Sequence, residues 1–158
     1  MKRGGQTSCS VRAASPIRKA GKRDGLVFEL KLVNGDLPTL RTGIHVYAQQ
    51  RGSGGWSPPI PLSSGPGRHL APVAVEDSTG SWLVFWWHLN GEQATIRLCN
   101  VRDAESDATP SELLIGGDCR NLYPAVCADA AGKIWLAWQA EQSGVAPGIF
   151  AARRLATH

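Results

Sequence analysis

A repeat with a period of 52 residues constrains the fold of this chain more than any other feature of the sequence. Residues 70–86 and 122–138 place a Pro, an Asp, a Gly and a final Trp in the same order and at the same spacing. The matched pairs are Pro72 and Pro124, Asp77 and Asp129, Gly80 and Gly132, and Trp86 and Trp138. A weaker first copy begins at Pro16, 56 positions before Pro72. Such a period indicates that each copy is one supersecondary unit stacked on its neighbours.

Each copy is predicted to contain four strands, which in the second copy are residues 72–76, 82–88, 94–101 and 111–115. The Asp and Gly of each repeat are the first and fourth residues typical of a type I turn. The second strand is apolar on both faces, which indicates burial between stacked sheets. Four strands in a unit of about 50 residues is the pattern of a β-propeller blade. The alternative, a β-sandwich, needs no such period.

The chain is therefore predicted to be all-β, with about three four-stranded antiparallel sheets that belong to a larger closed ring. The predicted units are a basic N-terminal arm that is a candidate closing strand, a diverged first blade, a second blade, and a third blade without its last strand. These units are residues 1–11, 12–67, 68–119 and 120–158. Four tryptophans of the second strands are predicted to pack between blades. They are Trp82, Trp86, Trp135 and Trp138.

The positive charge of the chain is concentrated at its N-terminus. The chain has 17 basic and 13 acidic residues, and seven of the basic ones lie within residues 1–23, which contain no acid. Because no nucleic-acid-binding signature accompanies this charge, we expect a solvated arm and no nucleic-acid partner. No apolar run has the length of a signal peptide or a membrane span, so the sequence predicts a cytoplasmic protein without a membrane partner. An extracellular location is the alternative if the gene starts further upstream.

No metal and no cofactor are expected from the residue spacing. The four cysteines form no CxxC motif, the histidines show no metal-ligand spacing, and free thiols are predicted in the absence of an export signal. No Gly-x-Ser-x-Gly motif is present. Asp77 and Asp129 are interpreted as turn residues and not as an acid–base pair.

Each copy has an arginine four residues before the proline of its first strand, namely Arg12, Arg68 and Arg120. The innermost strand of a propeller lines a central channel, so equivalent positions place these guanidinium groups around one channel mouth. Arginine binds carboxylates and phosphates bidentately and stays charged, which predicts a site for an anion. The alternative is that each arginine has a structural partner within the fold.

Three further residues are candidates for ligand binding. His69 and Asn121 follow two of the arginines at matched positions, where each either orients a polar ligand or is a surface loop residue. Trp56 lies in a Gly-rich turn, where it either stacks on a sugar or pins the turn.

Residues 123–138, followed by 148–154, resemble a blade of bacterial sialidase-like (Asp-box) or TolB-like propellers. The shared pattern is a Pro-initiated strand, an Asp-x-x-Gly turn, a strand ending in an aromatic residue, and an Ile-x-x-x-Arg strand. The resemblance covers about residues 16–154 and implies the blade fold. The Asp-box position keeps Gly55 and Trp56 but lacks the Asp, and the sialidase Arg-Ile-Pro motif and Tyr/Glu pair cannot be placed. Sialidase catalysis is therefore not carried over.

Together these features predict a non-catalytic binding or scaffold module that recognises an acidic glycan or another anion at the channel mouth. One alternative is a fragment or relative of a sialidase-like glycoside hydrolase, and another is a protein–protein interaction platform. Three blades form only an arc with apolar ends. We therefore expect a homo-oligomer, with a dimer favoured, or a partner chain that completes the propeller.

Overall fold

The computed structural model describes residues 11–13, 26–32, 44–52, 54–101 and 112–154, and in these ranges the chain forms β-strands joined by turns and no helix. The strands are β1 (Val11–Ala13), β2 (Leu26–Leu32), β3 (Ile44–Gly52), β4 (Gly55–Trp56), β5 (Ile60–Pro61), β6 (Arg68–Glu76), β7 (Trp82–Asn90), β8 (Gln93–Val101), β9 (Glu112–Ile115), β10 (Arg120–Ala128), β11 (Ile134–Glu141) and β12 (Gly148–Arg154). The prediction of an all-β chain with blade-like antiparallel sheets is confirmed. Within the described part of the chain, no helix could cross a membrane.

The second sheet is an antiparallel meander of β6, β7, β8 and β9, the four strands predicted for the second copy. Its first turn is closed by the N–H of Gly80, which donates to the carbonyl of Asp77 at 3.1 Å. Its leading strand begins at Arg68 and not at Pro72 as the sequence predicts. The reason is that the backbone stays paired with β7 from Arg68 onwards and passes through a bulge before the proline.

The third and first sheets flank the second. The third sheet consists of β10, β11 and β12, all antiparallel, with the N–H of Gly132 donating to the carbonyl of Asp129 at 2.9 Å in its turn. The first sheet consists of β1, β2, β3 and the short β4 and β5, both of which pair with β3. A parallel pairing of Ile44 with Arg68 joins β3 to β6, so the first and second sheets are hydrogen-bonded into one nine-stranded sheet. Residues 1–10, most of the expected closing strand, lie outside the described residues.

Two apolar cores hold the second sheet between its neighbours, because β7 presents side chains alternately to each side. One face of β7 carries Trp86 into a core shared with the first sheet. The other face carries Phe85 and Trp87 into a core shared with Leu122, Ile134 and Leu136 of the third sheet. The sequence prediction that the second strand is buried on both faces is thus confirmed for β7.

The third sheet is covered on one face only within the described residues. Trp135, which the sequence assigns to packing between blades, is 41% exposed, so this prediction is wrong. Alternation along β11 explains the difference, since Leu136 points into the core and Trp135 points to the other face. On that open face Trp135 lies opposite Arg153, whose guanidinium is 5.9 Å from the indole ring centroid. Trp82 and Trp138 are half-buried, and Trp86 is fully buried.

Candidate functional site

The leading strands β6 and β10 carry the same backbone irregularity at equivalent positions. Ala71 has φ 48° and Tyr123 has φ 51°, which places two non-glycine residues in the left-handed region. That conformation costs about 1–2 kcal/mol per residue, and each of these residues also precedes a proline, which restricts it further. The ladder shifts register at both places, between Leu70 and Val73 and between Leu122 and Ala125. Because both repeats keep this strain, it belongs to the repeating unit and shapes the surface beside it.

Just before each bulge, a buried polar side chain accepts a hydrogen bond from a tryptophan of the next strand. The Nε1–H of Trp86 donates to Nδ1 of His69 at 3.0 Å, and the Nε1–H of Trp138 donates to Oδ1 of Asn121 at 3.0 Å. Both acceptors are 3% exposed, so neither is the surface residue of the alternative interpretation. A buried indole N–H needs an acceptor, which explains why both repeats place a polar residue here.

This hydrogen bond fixes the tautomer of His69. Because Nδ1 accepts from the indole, the proton of the neutral ring lies on Nε2. Burial lowers the pKa of His69 from its ordinary value of 6.5 to about 3, and the charges of His88, His45 and Arg97 lower it further, whereas a hydrogen bond with the backbone of Ser64 acts in the opposite direction. His69 is therefore a neutral hydrogen-bond donor through Nε2 over the whole physiological range.

His69 is the middle ring of a column of three histidines at the junction of the first and second sheets. Its ring centroid lies 5.3 Å from that of His45 and 4.4 Å from that of His88, in both cases stacked. The Nε2–H of His88 donates to the carbonyl of Pro66 at 2.9 Å. Gly67 permits this approach, since a Cβ there would lie 2.5 Å from Nε2 of His88. Sequence analysis did not find the column, because its members are far apart in the chain and on three different strands.

The three repeated arginines differ in the residues that lie opposite them on the neighbouring strand. Arg120 is paired with Glu141, with 3.0 Å between Nη1 and Oε2, and Arg12 lies opposite Glu29 in the register of β1 and β2. Arg68 lies opposite Leu89, is exposed, and forms no ion pair with any residue that the structure describes. The side chain of Arg12 lies outside the described part. A structural partner is thus present for Arg120, whereas no ion-pair partner is found for Arg68 among the described residues.

Tyr123 presents its ring at the bulge of β10. The side chain is 58% exposed, and its ring meets that of Trp87 edge to face, with centroids 5.7 Å apart. Trp87 lies opposite Leu70, two residues along β6 from Arg68. The sequence analysis did not single out Tyr123 as a ligand-binding residue, and its position directly before the repeated proline is the signal that would have found it.

Trp56 is placed away from these residues. It is 48% exposed and pairs with Arg51 at the end of β3, whereas Ile44 at the start of β3 is the residue that meets Arg68. The structure therefore groups Arg68, His69, Arg120 and Asn121 at the beginnings of the leading strands and leaves Trp56 elsewhere.

The turn aspartates are engaged in local hydrogen bonds. Oδ1 of Asp77 accepts from the backbone N–H groups of Thr79 and Ser81 at 2.8 and 3.0 Å. Oδ1 of Asp129 accepts from two backbone N–H groups, and its Oδ2 accepts from Nε1 of Trp135 at 3.1 Å. The hydrogen bond from Trp135, followed by those from the backbone, lowers the pKa of Asp129. These contacts confirm that both residues are turn residues.

Within the described residues, no group of three or more His, Cys, Asp or Glu side chains is arranged to hold a metal ion. In this part of the chain Cys119 and Cys127 are free cysteines, and Sγ of Cys99 donates to the carbonyl of Asn100 at 3.8 Å. Cys9 lies outside the described residues.

Among solved structures, the chain is similar to an endo-arabinase from Bacteroides thetaiotaomicron. The two share 12% sequence identity with a TM-score of 0.54, and the match covers 84% of this chain. The chain spans about half of the arabinase chain, 52% of its length. No family model and no curated protein sequence matches the chain.

At this identity the similarity concerns the fold, and it supports a propeller-like arrangement of blades. It does not single out the sialidase-like or TolB-like group that the sequence resembles.

Proposed function

We propose that the chain is a non-catalytic carbohydrate-binding module of propeller type, which holds an acidic saccharide against Tyr123 near the start of the leading strands. The single observation that carries this proposal is the exposed ring of Tyr123, raised by a strained bulge and braced by Trp87. An aromatic ring held in one orientation offers its free face to the apolar face of a sugar without losing side-chain freedom on binding.

The preference for an acidic saccharide rests on Arg68. Its guanidinium is exposed and is not neutralised by any described carboxylate, in contrast to Arg120, which is neutralised by Glu141. An arginine in this state binds a carboxylate or sulfate with two parallel hydrogen bonds. The similarity to an endo-arabinase supports a saccharide as the ligand class.

The absence of catalysis is proposed from the use of the carboxylates. Asp77 and Asp129 serve the turns, and Glu141 is committed to Arg120. Glycoside hydrolysis in most families needs two carboxyl groups on opposite sides of one bond, about 5–10 Å apart. The two carboxylates that the repeat itself provides, Asp77 and Asp129, are therefore not available as such a pair.

A glycan array with three proteins tests this proposal. The wild-type chain is expected to bind acidic oligosaccharides, and Tyr123→Ala is expected to lose about tenfold or more in affinity. Phe150→Ala is the matched control, because Phe150 is also an exposed ring that packs against a tryptophan. Its ring centroid lies 6.0 Å from that of Trp138. Equal loss in both variants, or no binding by the wild type, contradicts the site, and turnover of a fluorogenic sialoside contradicts the non-catalytic assignment.

We further propose that a second copy covers the open face of the third sheet and closes a ring. This face carries Ile149, 77% exposed, together with Trp135, and the chain spans only half of the arabinase propeller chain. Two arcs packed head to tail around one two-fold axis would bury both faces.

Light scattering on the chain and two variants tests this assembly. The wild type is expected at twice the chain mass of 16.9 kDa, and Ile149→Glu is expected at the mass of one chain. Leu114→Glu, at an exposed leucine of the second sheet, should leave the mass unchanged. A monomeric wild type overturns the proposal and favours a partner chain.

A further inference from the structure

The second and third repeats carry different side chains opposite their leading arginines. Arg68 of β6 lies opposite Leu89 of β7, and Arg120 of β10 lies opposite Glu141 of β11. Leu89 and Glu141 are 52 positions apart and are therefore equivalent in the repeat. Side chains directly opposite each other on antiparallel strands lie within reach of one another. One position of the repeat thus decides whether the leading arginine has a carboxylate beside it.

In the third repeat, hydrogen bonds to both of its oxygens fix the carboxylate at the arginine. Oε2 of Glu141 accepts from Nη1 of Arg120 at 3.0 Å, and Oε1 accepts from Nε2 of Gln139 at 2.7 Å. The charge of this guanidinium is therefore offset within its own sheet. An anionic ligand would have to displace Glu141 or lie beside it, and the repulsion between like charges makes both unfavourable.

In the second repeat, apolar side chains replace both the carboxylate and the amide. Leu89 and Trp87 stand at these two positions, and both pack in the core between the second and third sheets. A leucine side chain neither accepts a hydrogen bond nor offsets a charge, and Arg68 forms no ion pair with any residue that the structure describes. The same exchange supplies the indole ring that braces Tyr123. An uncompensated positive charge and a fixed aromatic ring therefore arise together in this repeat.

We propose that Leu89 is a specificity-determining residue: because it provides no carboxylate to Arg68, the surface beside Tyr123 selects a saccharide with an acidic group over its neutral counterpart. This role of Leu89 rests on the proposed saccharide site and assigns the charge preference of that site to one side chain. Alternation along β7 places Leu89 and Trp87 on the same face of the second sheet. Arg68, opposite Leu89, and Tyr123, against Trp87, therefore lie toward the same side of that sheet.

Calorimetric titration with 3′-sialyllactose and with its methyl ester tests this role, because the two probes differ only in the charge of one carboxyl group. The wild type is expected to bind the acid about tenfold or more tightly than the ester, since a hydrogen bond to a charged partner is the stronger one. Leu89→Glu gives the second repeat the residue of the third. It is expected to lower the affinity for the acid about tenfold and to leave the affinity for the ester within about twofold.

Two control variants separate the effect of charge from that of packing. Leu89→Gln removes the same apolar contacts without adding a charge and should keep the preference for the acid. Leu114→Glu adds the same charge at an exposed leucine of β9 and should keep it as well. A double-mutant cycle of Leu89→Glu with Arg68→Met gives a measurement without any saccharide. Urea unfolding should show a favourable coupling between the introduced carboxylate and Arg68, as is expected for an ion pair.

The outcomes distinguish this role of Leu89 from the saccharide site itself. An unchanged preference for the acid in Leu89→Glu, or an equal loss in Leu89→Gln, overturns the role of Leu89 and leaves the site in place. The absence of coupling with Arg68 overturns it too. A wild type that binds both probes equally, or neither of them, also overturns it, and the glycan array with Tyr123→Ala then decides separately whether the saccharide site stands.

Discussion

The second and third sheets share a repeat, a turn and a buried tryptophan hydrogen bond, yet they differ in what surrounds them. In the second sheet both faces of β7 are buried, and Trp86 is 0% exposed. In the third sheet the equivalent Trp138 is half-buried, and the opposite face of β11 carries the exposed Trp135. The repeat therefore determines strands and polar contacts, whereas burial depends on whether a neighbouring sheet is present.

The same comparison applies to the polar residue ahead of each bulge. His69 and Asn121 perform one structural task, since each accepts from an indole N–H. Only His69 also belongs to a column of rings beside an uncompensated arginine. Both repeats therefore need a polar residue at this position to accept the indole hydrogen bond, and in the second repeat the same residue also stacks with two other histidines.

The largest expected difference between the two sheets concerns their matched tryptophans. Trp86→Ala should lower the free energy of unfolding by about 3–5 kcal/mol, because it opens a cavity between two sheets and leaves Nδ1 of His69 unpaired. Trp138→Ala should cost about half as much, since part of its ring already contacts water. Urea unfolding measures both, and equal losses contradict the comparison.

The next effect concerns pH. The pKa of His69 is about 3 in the folded chain and 6.5 ordinarily. Between these values the unfolded chain binds more protons, so this residue causes stability to fall as the pH drops below about 6.5. The slope is at most about 1.4 kcal/mol per pH unit for one proton.

His69→Asn is the matched control for this pH effect, because Asn121 shows that an amide accepts the same indole hydrogen bond. The variant should fold with Trp86 still hydrogen-bonded and should lose the part of the pH dependence that His69 contributes. Chemical denaturation at several pH values between 4 and 7 measures the slopes. Identical slopes in the two proteins would show that His69 does not titrate as its burial implies.

A smaller effect is expected at the leading arginines. A double-mutant cycle of Arg120→Met and Glu141→Gln should give a coupling of about 0.2–1 kcal/mol, because the pair is partly exposed. Arg68→Met should leave the free energy of unfolding nearly unchanged, since Arg68 faces Leu89 and not an acid. A larger stability loss at Arg68 than at Arg120 contradicts the assignment of Arg68 to ligand binding.

The smallest effect is electrostatic and local. Trp135→Phe removes the indole donor to Oδ2 of Asp129, so the pKa of Asp129 should rise toward its ordinary value. Carboxyl chemical shifts measured by NMR across the acid range detect this change. The turn should persist, because two backbone N–H groups still donate to Oδ1.

Local patterns made much of the fold predictable, because Asp and Gly mark the turns and continuous apolar runs mark the buried strand. The bulges were not predictable, since Ala71 and Tyr123 adopt left-handed conformations without a glycine. The exposure of Trp135 depends on the absence of a covering sheet among the described residues and not on β11 itself. For the candidate site, the matched positions of Arg68, His69 and Asn121 were found from the repeat. The stacking of His45 and His88 on His69 arises from strands brought together only by the fold.

The most direct test of the proposed saccharide site is a crystal structure of the chain with the acidic oligosaccharide that binds best on the array. A sugar ring is expected against the exposed face of Tyr123, with the acidic group of the oligosaccharide within hydrogen-bond distance of the guanidinium of Arg68. A sugar bound at Trp56 or on the open face of the third sheet, with Tyr123 uncovered, would contradict the account.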